Sequence, residues 1–487
     1  MAFTITASLV ALGLAAFAKA QSGTVEAYIS SESPIAQAGI LAAIGPDGEH
    51  SGGAAAGVIV ASPSDSDPDY LYTWTRDAAL VSRVLVDQFT QGGDASLQSV
   101  IESYVSAQDT LQHLDNPSGG YDSGGLGEPK FNIDLTAFTD AWGRPQTDGP
   151  ALRALTLITY GNSLLSGDNS SYVTDTLWPI IKADLDYVVQ YWNQQTFDLW
   201  EEVQSSGSFF TSVVQHAALR QGVSFASAVG DDGSSYSSAA DSVLCTAQSF
   251  WNEDGGYFNA NQGGGRSGID NNAVLASIHT FDVEAGCDAN TFQPCSDRAL
   301  SNLKVYIDSF RGLYSINPTG DTNAILTGRY MEDSYQGGNA RALDPAVLPS
   351  ADLFHQPWYL NTFAVAEQLY DALTTWDQVG SIDVTSTSLA FFQQFSDSIA
   401  EGSYDSSSDE FSTLTSAIHD WADGFIEVIA NYTPSDGSLA EQINKDSGEP
   451  ASALDLTWSY ASAVTAFNAR DGFVPASWGA ANATASC

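Results

Sequence analysis

Segments with the apolar spacing of a helix recur six times along this 487-residue chain. In the first segment, Leu80, Val81, Val84, Leu85 and Phe89 are spaced so that they share one helix face. The six segments lie at 77–89, 150–160, 210–219, 273–280, 358–373 and 456–467. Their starts are roughly 60 to 100 residues apart, which leaves room between them for a second helix that runs back in the opposite direction. Six such units predict an all-α fold with a ring of inner helices inside an outer ring, against the alternative of an irregular helical protein.

The loops that precede these segments combine aromatic rings with a carboxylate, a guanidinium group or both. They lie at 70–77, 142–145, 198–202, 328–333 and 441–442, the last followed by 458–460. Aromatic rings pack against the C–H face of a sugar ring, and charged side chains bind its hydroxyls. A single Trp is more often a core residue than a ligand platform. Five such loops at one end of a helical ring nevertheless predict a carbohydrate pocket.

Other catalytic chemistries have little support in the sequence. The six histidines are scattered, without the close His or Cys spacing of a transition-metal site. No Gly-x-Ser-x-Gly elbow and no P-loop occurs. The segment 263–268 matches a dinucleotide fingerprint in form, but it follows Asn/Asp/Gly-rich sequence and is interpreted as a flexible loop. We therefore expect neither a metal nor another cofactor.

The charge of the chain argues against two kinds of partner. The chain has 16 Lys and Arg residues against 59 Asp and Glu residues, a formal charge of −43. Such a chain repels nucleic acid and anionic membranes, so neither is an expected partner. Because 43% of the residues are hydrophobic, the chain can still form a large core.

The first 20 residues have the pattern of a secretory signal peptide. Residues 2–18 carry no charge and are apolar or small, and Ala18-Lys19-Ala20 fits a small-x-small cleavage site. The apolar run is too short to span a membrane. We therefore expect a secreted, extracellular protein with a signal peptide at 1–20 and a single domain at 21–487.

Four cysteines and three sequons agree with that location. An even number of cysteines predicts two disulfides, with three possible connectivities. The short Pro-containing segment between Cys287 and Cys295 favours a local bridge, which leaves Cys245 for Cys487. The alternative is a free thiol at Cys487. The sequons predict N-glycosylation of Asn169, Asn431 and Asn482.

With metal, thiol and serine chemistry weakly supported, a pair of carboxylic acids is the natural catalyst for hydrolysis of a sugar link. Such hydrolysis needs one protonated acid and one ionised carboxylate on opposite sides of the sugar. Glu201 is the best candidate for the acid, because burial beside Trp200 and the like charge of Glu202 would both raise its proton affinity. The alternative is a solvated acidic turn. Asp198 lies within one helical turn of Glu201, so spacing alone does not identify the opposing base.

Eight segments resemble one known family over nearly the whole chain. They read Tyr-Thr-Trp-Thr-Arg-Asp (72–77), Lys-Phe-Asn (130–132), Trp-Gly-Arg-Pro-Gln (142–146), Asp-Leu-Trp-Glu-Glu-Val (198–203), Ser-Ile-His-Thr-Phe-Asp (277–282), Gly-Arg-Tyr (328–330), Asp-Leu-Thr-Trp-Ser-Tyr (455–460) and Val-Pro-Ala-Ser-Trp-Gly (474–479). The sequence thereby resembles fungal glucoamylases, glycoside hydrolase family 15. The resemblance implies an (α/α)6 barrel that hydrolyses α-1,4 links, and α-1,6 links more slowly, from chain ends with inversion to β-D-glucose. Starch, maltodextrin and maltose are then the expected substrates of a monomeric enzyme.

The resemblance also implies roles for individual carboxylates. Glu201 is similar to the general acid of the family, and Glu441 to the base that activates water. Tyr70 would orient that water or Glu441. Asp198 resembles a supporting acid, although an older style of assignment would make it the base.

Further residues are implied to bind substrate. The resemblance implies that the terminal glucose is held by Arg76, Asp77 and Leu199, and that the next unit is reached by Trp200, Glu202 and Arg329. It also implies two walls, Trp142 and Trp358, and two further pocket residues, Trp74 and Trp458.

Three features depart from the family pattern. Its Gly-Asn-Pro-Trp run is interrupted here by an insertion at 340–356, and an additional close cysteine pair before Cys245 is absent. The sequence stops at Cys487 without a Ser/Thr-rich linker or a starch-binding module, so weak adsorption to raw starch granules is expected. The alternative functions are another α-glycan hydrolase of the family, such as a trehalase or glucodextranase, and a catalytically inactive sugar-binding protein.

Overall fold

The computed structural model describes residues 5–165, 169–266, 268–337 and 356–481 together with 483, 485 and 487, and it describes side chains from Thr24 onward. Nearly all of the insertion at 340–356 and the sequon residue Asn482 therefore lie outside the described residues. No side chain is described in the segment 1–20, and the signal peptide stays a prediction.

Twelve helices of eight or more residues occur in the described ranges. In chain order, α1 to α12 are Ile5–Ala42, Thr75–Thr90, Gln98–Gln112, Asp148–Leu165, Trp178–Tyr191, Phe209–Val229, Ser234–Gln248, Asn272–His279, Asp297–Ser309, Tyr359–Val379, Asp409–Ala430 and Thr457–Arg470. Shorter helical turns lie at Ala95–Leu97, Gly125–Gly127, Ser170–Tyr172, Val173–Leu177, Val283–Ala285 and Leu389–Gln393.

The even-numbered helices form a closed inner ring. Helix α2 packs against α4, α4 against α6, α6 against α8, α8 against α10, α10 against α12, and α12 against α2. The odd-numbered helices cover the ring from outside: α3 lies on α2, α5 on α4, α7 on α6, α9 on α8, α11 on α10 and α1 on α12. The predicted (α/α)6 barrel is confirmed, and the six apolar segments begin within two residues of the six inner helices.

Burial explains why the two rings differ in sequence. Every residue of α4 from 148 to 161 is buried, as expected for a helix that is enclosed on all sides. Helix α11 buries Leu414, Ile418 and Phe425 on one face and exposes polar residues on the other. An outer helix needs only one apolar face, because its opposite face meets water.

Short antiparallel strand pairs shape the loops between the helices. The described part of the chain contains five pairs: β1 (Tyr72–Trp74) with β2 (Lys130–Asn132), β3 (Thr196–Phe197) with β4 (Gln204–Ser205), β5 (Trp251–Asn252) with β6 (Tyr257–Phe258), β7 (Ser381–Val384) with β8 (Gly402–Asp405), and β9 (Gln442–Ile443) with β10 (Pro450–Ala451). In the first pair, Trp74 lies opposite Lys130. The last pair begins directly after Glu441. Strand pairing therefore fixes two of the loops that precede inner helices.

Two disulfides agree with the predicted pairing. Cys287 is bonded to Cys295 with the Cα atoms 4.9 Å apart, and Cys245 is bonded to Cys487 with the Cα atoms 5.5 Å apart. The second bridge attaches residue 487 to α7. Chain-entropy models assign a closed loop of this size about 5 kcal/mol of stabilisation.

Both sequon residues in the described ranges lie at the surface. Asn169 and Asn431 are exposed, so glycan attachment is sterically possible at both, and their glycosylation stays a prediction.

Within the ranges given above, no helix is both long enough and apolar enough to cross a membrane.

Candidate active site

One pocket opens at the end of the barrel where the inner helices begin. The loops before α2, α6, α10 and α12 and the first turns of α2, α10 and α12 line it, and its empty space, with the open mouth included, is about 450 Å3. Its lining consists of Tyr70, Trp74, Arg76, Asp77, Leu199, Trp200, Glu201, Arg329, Trp358, Leu360, Glu441, Leu456 and Trp458. Most of the residues implied by the sequence resemblance thus lie around one space.

Three predicted site residues, Asp198, Trp142 and Glu202, are not part of this lining but contact residues of the pocket or of the turn that carries Glu201. The indole of Trp142 contacts the carboxylate of Glu201, and Glu202 is paired with Arg329. Asp198 is buried beneath the turn that carries Glu201 and Glu202. The two leucines Leu360 and Leu456 line the pocket although the sequence did not indicate them.

Glu201 is surrounded by nitrogen donors. Its Oε1 accepts hydrogen bonds from Trp74 Nε1 at 2.8 Å, Gln146 Nε2 at 3.0 Å and Arg76 Nη2 at 3.3 Å. Its Oε2 accepts one from Trp142 Nε1 at 2.9 Å. The backbone of Glu201 has a φ of 66°, a left-handed conformation that a non-glycine residue keeps only when its surroundings hold it. The carboxyl group is therefore held in one orientation.

Arg76 is the buried cation on the same side of the pocket. Its Nη1 donates to Gln146 at 2.7 Å and to Asp148 at 3.0 Å, and its Nε lies 3.6 Å from Asp77. Burial raises the pKa of Asp77 to about 6, although the charge of Arg76 opposes the rise. Arg76 and Asp77 thus offer a donor and an acceptor to the hydroxyls of a sugar.

Glu441 is a separate buried carboxylate in the lining of the same pocket. Its Oε1 accepts a hydrogen bond from Tyr70 at 2.8 Å, and its Oε2 accepts one from Ser452. The hydroxyl of Tyr335 lies 2.7 Å from that of Tyr70. Burial raises the pKa of Glu441 to about 7, and the two hydroxyl donors act in the opposite direction. Hydroxyl groups, rather than N–H groups, therefore surround this carboxylate.

Glu202 belongs to an ion-pair cluster beside the pocket. Arg329 Nη2 donates to Glu202 at 2.7 Å and to Asp333 at 2.6 Å, and the hydroxyl of Tyr330 donates to the other oxygen of Glu202. Arg266 approaches the same carboxylate at 3.4 Å. This cluster holds Arg329 at the pocket edge.

Asp198 has its two oxygens occupied inside the protein. Its Oδ1 accepts hydrogen bonds from the backbone N–H groups of Glu202 and Val203, and its Oδ2 contacts Asn261 and Arg266. The side chain is 1% exposed. A carboxylate in this position stabilises the turn, and it is not among the residues that line the pocket.

The aromatic wall is built from paired indoles. The ring of Trp200 lies 5.7 Å from that of Trp358, and its Nε1 donates to Asp270 at 2.8 Å. The guanidinium of Arg329 lies 5.1 Å from the ring of Trp358 and 5.0 Å from that of Tyr335. Tilted aromatic faces with a cation beside them match the faces and hydroxyls of a pyranose.

Sequence reasoning missed several side chains that contact the site. Gln146, Ser452 and Tyr335 hydrogen-bond to Glu201, Glu441 or their partners. Arg266 lies in the segment interpreted as a flexible loop, yet it is only 9% exposed and faces three carboxylates. The one feature of the sequence that pointed to Arg266 was its positive charge, which is rare in so acidic a chain.

A helical barrel whose open end holds two separate carboxyl groups among aromatic walls defines the chain as a glycoside hydrolase. In the described part of the chain, no group of three or more His, Cys, Asp or Glu side chains could hold a metal ion. The chain belongs to family 15 of the glycosyl hydrolases, whose family model matches residues 34–468.

Similar proteins agree with this assignment. Glucoamylase-1 of Schizophyllum commune (strain H4-8 / FGSC 9210) is 69% identical over 484 residues, which cover 99% of this chain and 81% of that protein. A solved glycoside hydrolase family 15 glucoamylase from Hypocrea jecorina is 52% identical with a TM-score of 0.88, and covers 93% of this chain and 74% of that one. The structure of Hormoconis resinae glucoamylase is 45% identical with a TM-score of 0.86, and the match covers 93% of this chain and 75% of that one.

Proposed function

We propose that the chain is a glucan 1,4-alpha-glucosidase that releases β-D-glucose from the non-reducing ends of starch and maltodextrins. The observation that carries the proposal is the presence of Glu201 and Glu441 in one pocket with different hydrogen-bond partners. Relatives named glucoamylase, at up to 69% identity, support the substrate class. A pocket at the end of a helical ring receives a chain end more readily than the middle of a chain, which supports exo action.

In the proposed reaction, the two carboxyl groups act on opposite sides of the terminal sugar. Glu201 donates its proton to the glycosidic oxygen as the C1–O bond breaks. Glu441 takes a proton from the water that attacks C1 from the other face, so the configuration at C1 inverts. Tyr70 donates to Glu441 and holds it in place, and Asp198 supports the turn below Glu201.

The proposed binding of substrate follows from the donors and acceptors of the pocket. Arg76, Asp77 and the backbone at Leu199 would bind the terminal glucose. Glu202 and Arg329 would contact the next unit. The indoles of Trp74, Trp142, Trp200, Trp358 and Trp458 would form walls that exclude water.

Secretion belongs to the same proposal. Two disulfides support it, because such bonds persist in oxidising compartments. The prediction of a monomer remains untested by these observations.

The deciding experiment is the anomeric form of the first glucose that the purified protein releases from maltotriose, followed by NMR, because the leaving group is then maltose and the glucose comes only from the non-reducing end. We expect β-D-glucose before mutarotation. An initial α-D-glucose signal would contradict the inverting mechanism. Parallel assays with soluble starch, trehalose and dextran distinguish the other family activities, since a preference for trehalose or dextran would replace the proposed substrate. Binding of maltotriose without glucose release would identify an inactive sugar-binding protein.

A further inference from the structure

Lys130 is a buried lysine next to the active-site pocket. It lies on β2, opposite Trp74 of β1, and its side chain is 2% exposed. Among the residues that the structure describes, no carboxylate comes within 4 Å of its ammonium group. Burial lowers the pKa of Lys130 to about 8, so the group is charged in acidic solution.

Four aromatic rings surround this ammonium group and form what we call the aromatic box. Its Nζ lies 3.7 Å from the ring centre of Trp142, 3.9 Å from Tyr72, 4.4 Å from Phe138 and 4.6 Å from Trp74. The rings also pack on one another, with Trp74 6.0 Å from Trp142 and Phe138 5.8 Å from Trp142. Cation–π attraction is strongest when the cation is desolvated, so the ammonium group fixes the arrangement of these rings.

Two rings of the aromatic box are hydrogen-bonded to Glu201. Trp74 Nε1 donates to its Oε1, and Trp142 Nε1 donates to its Oε2. Each indole therefore has the cation of Lys130 on its face and the carboxylate of Glu201 at its edge. A cation on the face of an indole polarises the ring and strengthens its N–H group as a donor.

We propose that Lys130 is a positioning residue for the reaction, which holds Trp74 and Trp142 so that they fix the orientation of Glu201. The inference rests on the proposed role of Glu201 as the acid. Lys130 does not line the pocket and has no contact with substrate in this scheme. It acts through the two indoles and through its charge.

Other charged groups face the same two side chains. Arg76 is paired with Glu201 at 3.3 Å, and Asp77 lies beside Arg76. Asp69, Asp140 and Arg144 face Lys130. The positive charge of Lys130 attracts the carboxylate of Glu201, and Lys130→Met would remove this attraction.

The test is Lys130→Met, which fills the aromatic box without a charge. We expect kcat on maltose to fall about tenfold with little change in KM, because the acid is less well oriented. We also expect the alkaline limb of the kcat profile, which follows loss of the acid's proton, to move to higher pH by about half a unit or more. Lys130→Arg should restore the position of the limb. Lys182→Met removes an exposed lysine that lies 5.8 Å from the ring of Tyr236, and should change neither quantity.

Several outcomes would overturn the inference. They are an unchanged kcat and pH profile in Lys130→Met, or a loss of kcat and thermal stability in which the alkaline limb does not move. If Lys130→Met does not fold, Lys130→Gln provides the same readout with a polar side chain. Failure of the proposed function is distinguished in the same assay, because the wild-type protein would then not release β-D-glucose, or Glu201→Gln would retain activity.

Discussion

Two regions of the barrel each contain a pair of acidic side chains, and the pairs have different surroundings. Glu201 and Glu441 lie at the end where the inner helices begin. Glu367 and Asp371 lie in the middle of α10 and line a cavity together with residues of α2, α4, α8 and α12, among them His279. The same ring of helices therefore holds one acid pair in an open pocket and another in its interior.

Hydrogen-bond donors account for much of the difference. Glu201 accepts four N–H donors, whereas Glu367 accepts a hydrogen bond from the hydroxyl of Thr465 at 2.5 Å. Burial raises the pKa of Glu367 to about 7, and burial together with the charge of Glu367 raises the pKa of Asp371 well above its usual range. Burial also lowers the pKa of His279 to about 3.

The positions of the acids along the chain contribute to this difference. Glu201 and Glu441 lie in loops that precede inner helices, whereas Glu367 and Asp371 lie in the middle of α10. The backbone N–H groups in the middle of a helix are used within the helix, so an acid there depends on the few side-chain donors that face it. An acid in a loop can accept donors from several neighbouring segments.

The largest expected effect is on kcat, which should fall steeply when either acid of the pocket pair is replaced and change little when Glu367 is replaced. Glu201→Gln and Glu441→Gln should each lower kcat on maltose by about 10²- to 10⁴-fold with little change in KM, because each removes a proton-transfer group. Glu367→Gln, in the middle of α10, is the matched control and should leave kcat within about twofold. A comparable loss of kcat in Glu367→Gln would show that the comparison of the two acid pairs is wrong.

A second prediction concerns the pH dependence of stability. The folded state binds the proton of Glu367 more tightly than the unfolded chain, so this stabilisation is complete below the ordinary pKa near 4.5 and is lost as pH rises through about 7. Glu367→Gln keeps the side-chain volume and removes the titration. Between pH 4.5 and 7.5, the free energy of unfolding should fall less in the variant than in the wild type, by on the order of 2 kcal/mol.

Urea denaturation at a series of pH values measures this difference. Glu410→Gln, on the exposed start of α11, serves as a control of equal charge change. Parallel pH dependences in wild type and Glu367→Gln would be incompatible with a protonated interior pair.

The smallest expected effect concerns the base. Ser452→Ala removes one of the two hydroxyl donors to Glu441, so the ionised form is less favoured and the pKa of Glu441 rises. The acidic limb of kcat/KM on maltose should then move to higher pH by about half a unit. Ser447→Ala, in the exposed turn between β9 and β10, should leave the limb in place. An unmoved limb in Ser452→Ala would mean that this hydroxyl does not tune the base.

The fold could be predicted from sequence because the apolar residues of each inner helix recur with helical spacing. This pattern gave the starts of α2 and α12 within two residues. The pocket could be predicted because its loops contain Trp and Arg residues in short clusters. Lys130 and Ser452 could not be assigned from composition or spacing, since their roles depend on which side chains the ring brings together across the chain.

The closure of the ring has a consequence for folding during synthesis. Helix α12 fills the gap between α10 and α2, so the inner ring remains open until residue 470 has left the ribosome. At translation rates of about 5 to 20 residues per second, α12 is completed roughly 20 to 75 s after α2 and roughly 5 to 20 s after α10, and during these intervals the apolar faces of α2 and α10 lack a neighbour. Contacts between such distant segments also slow the final step of folding. Premature termination before α12 should therefore yield an aggregation-prone fragment rather than a smaller barrel.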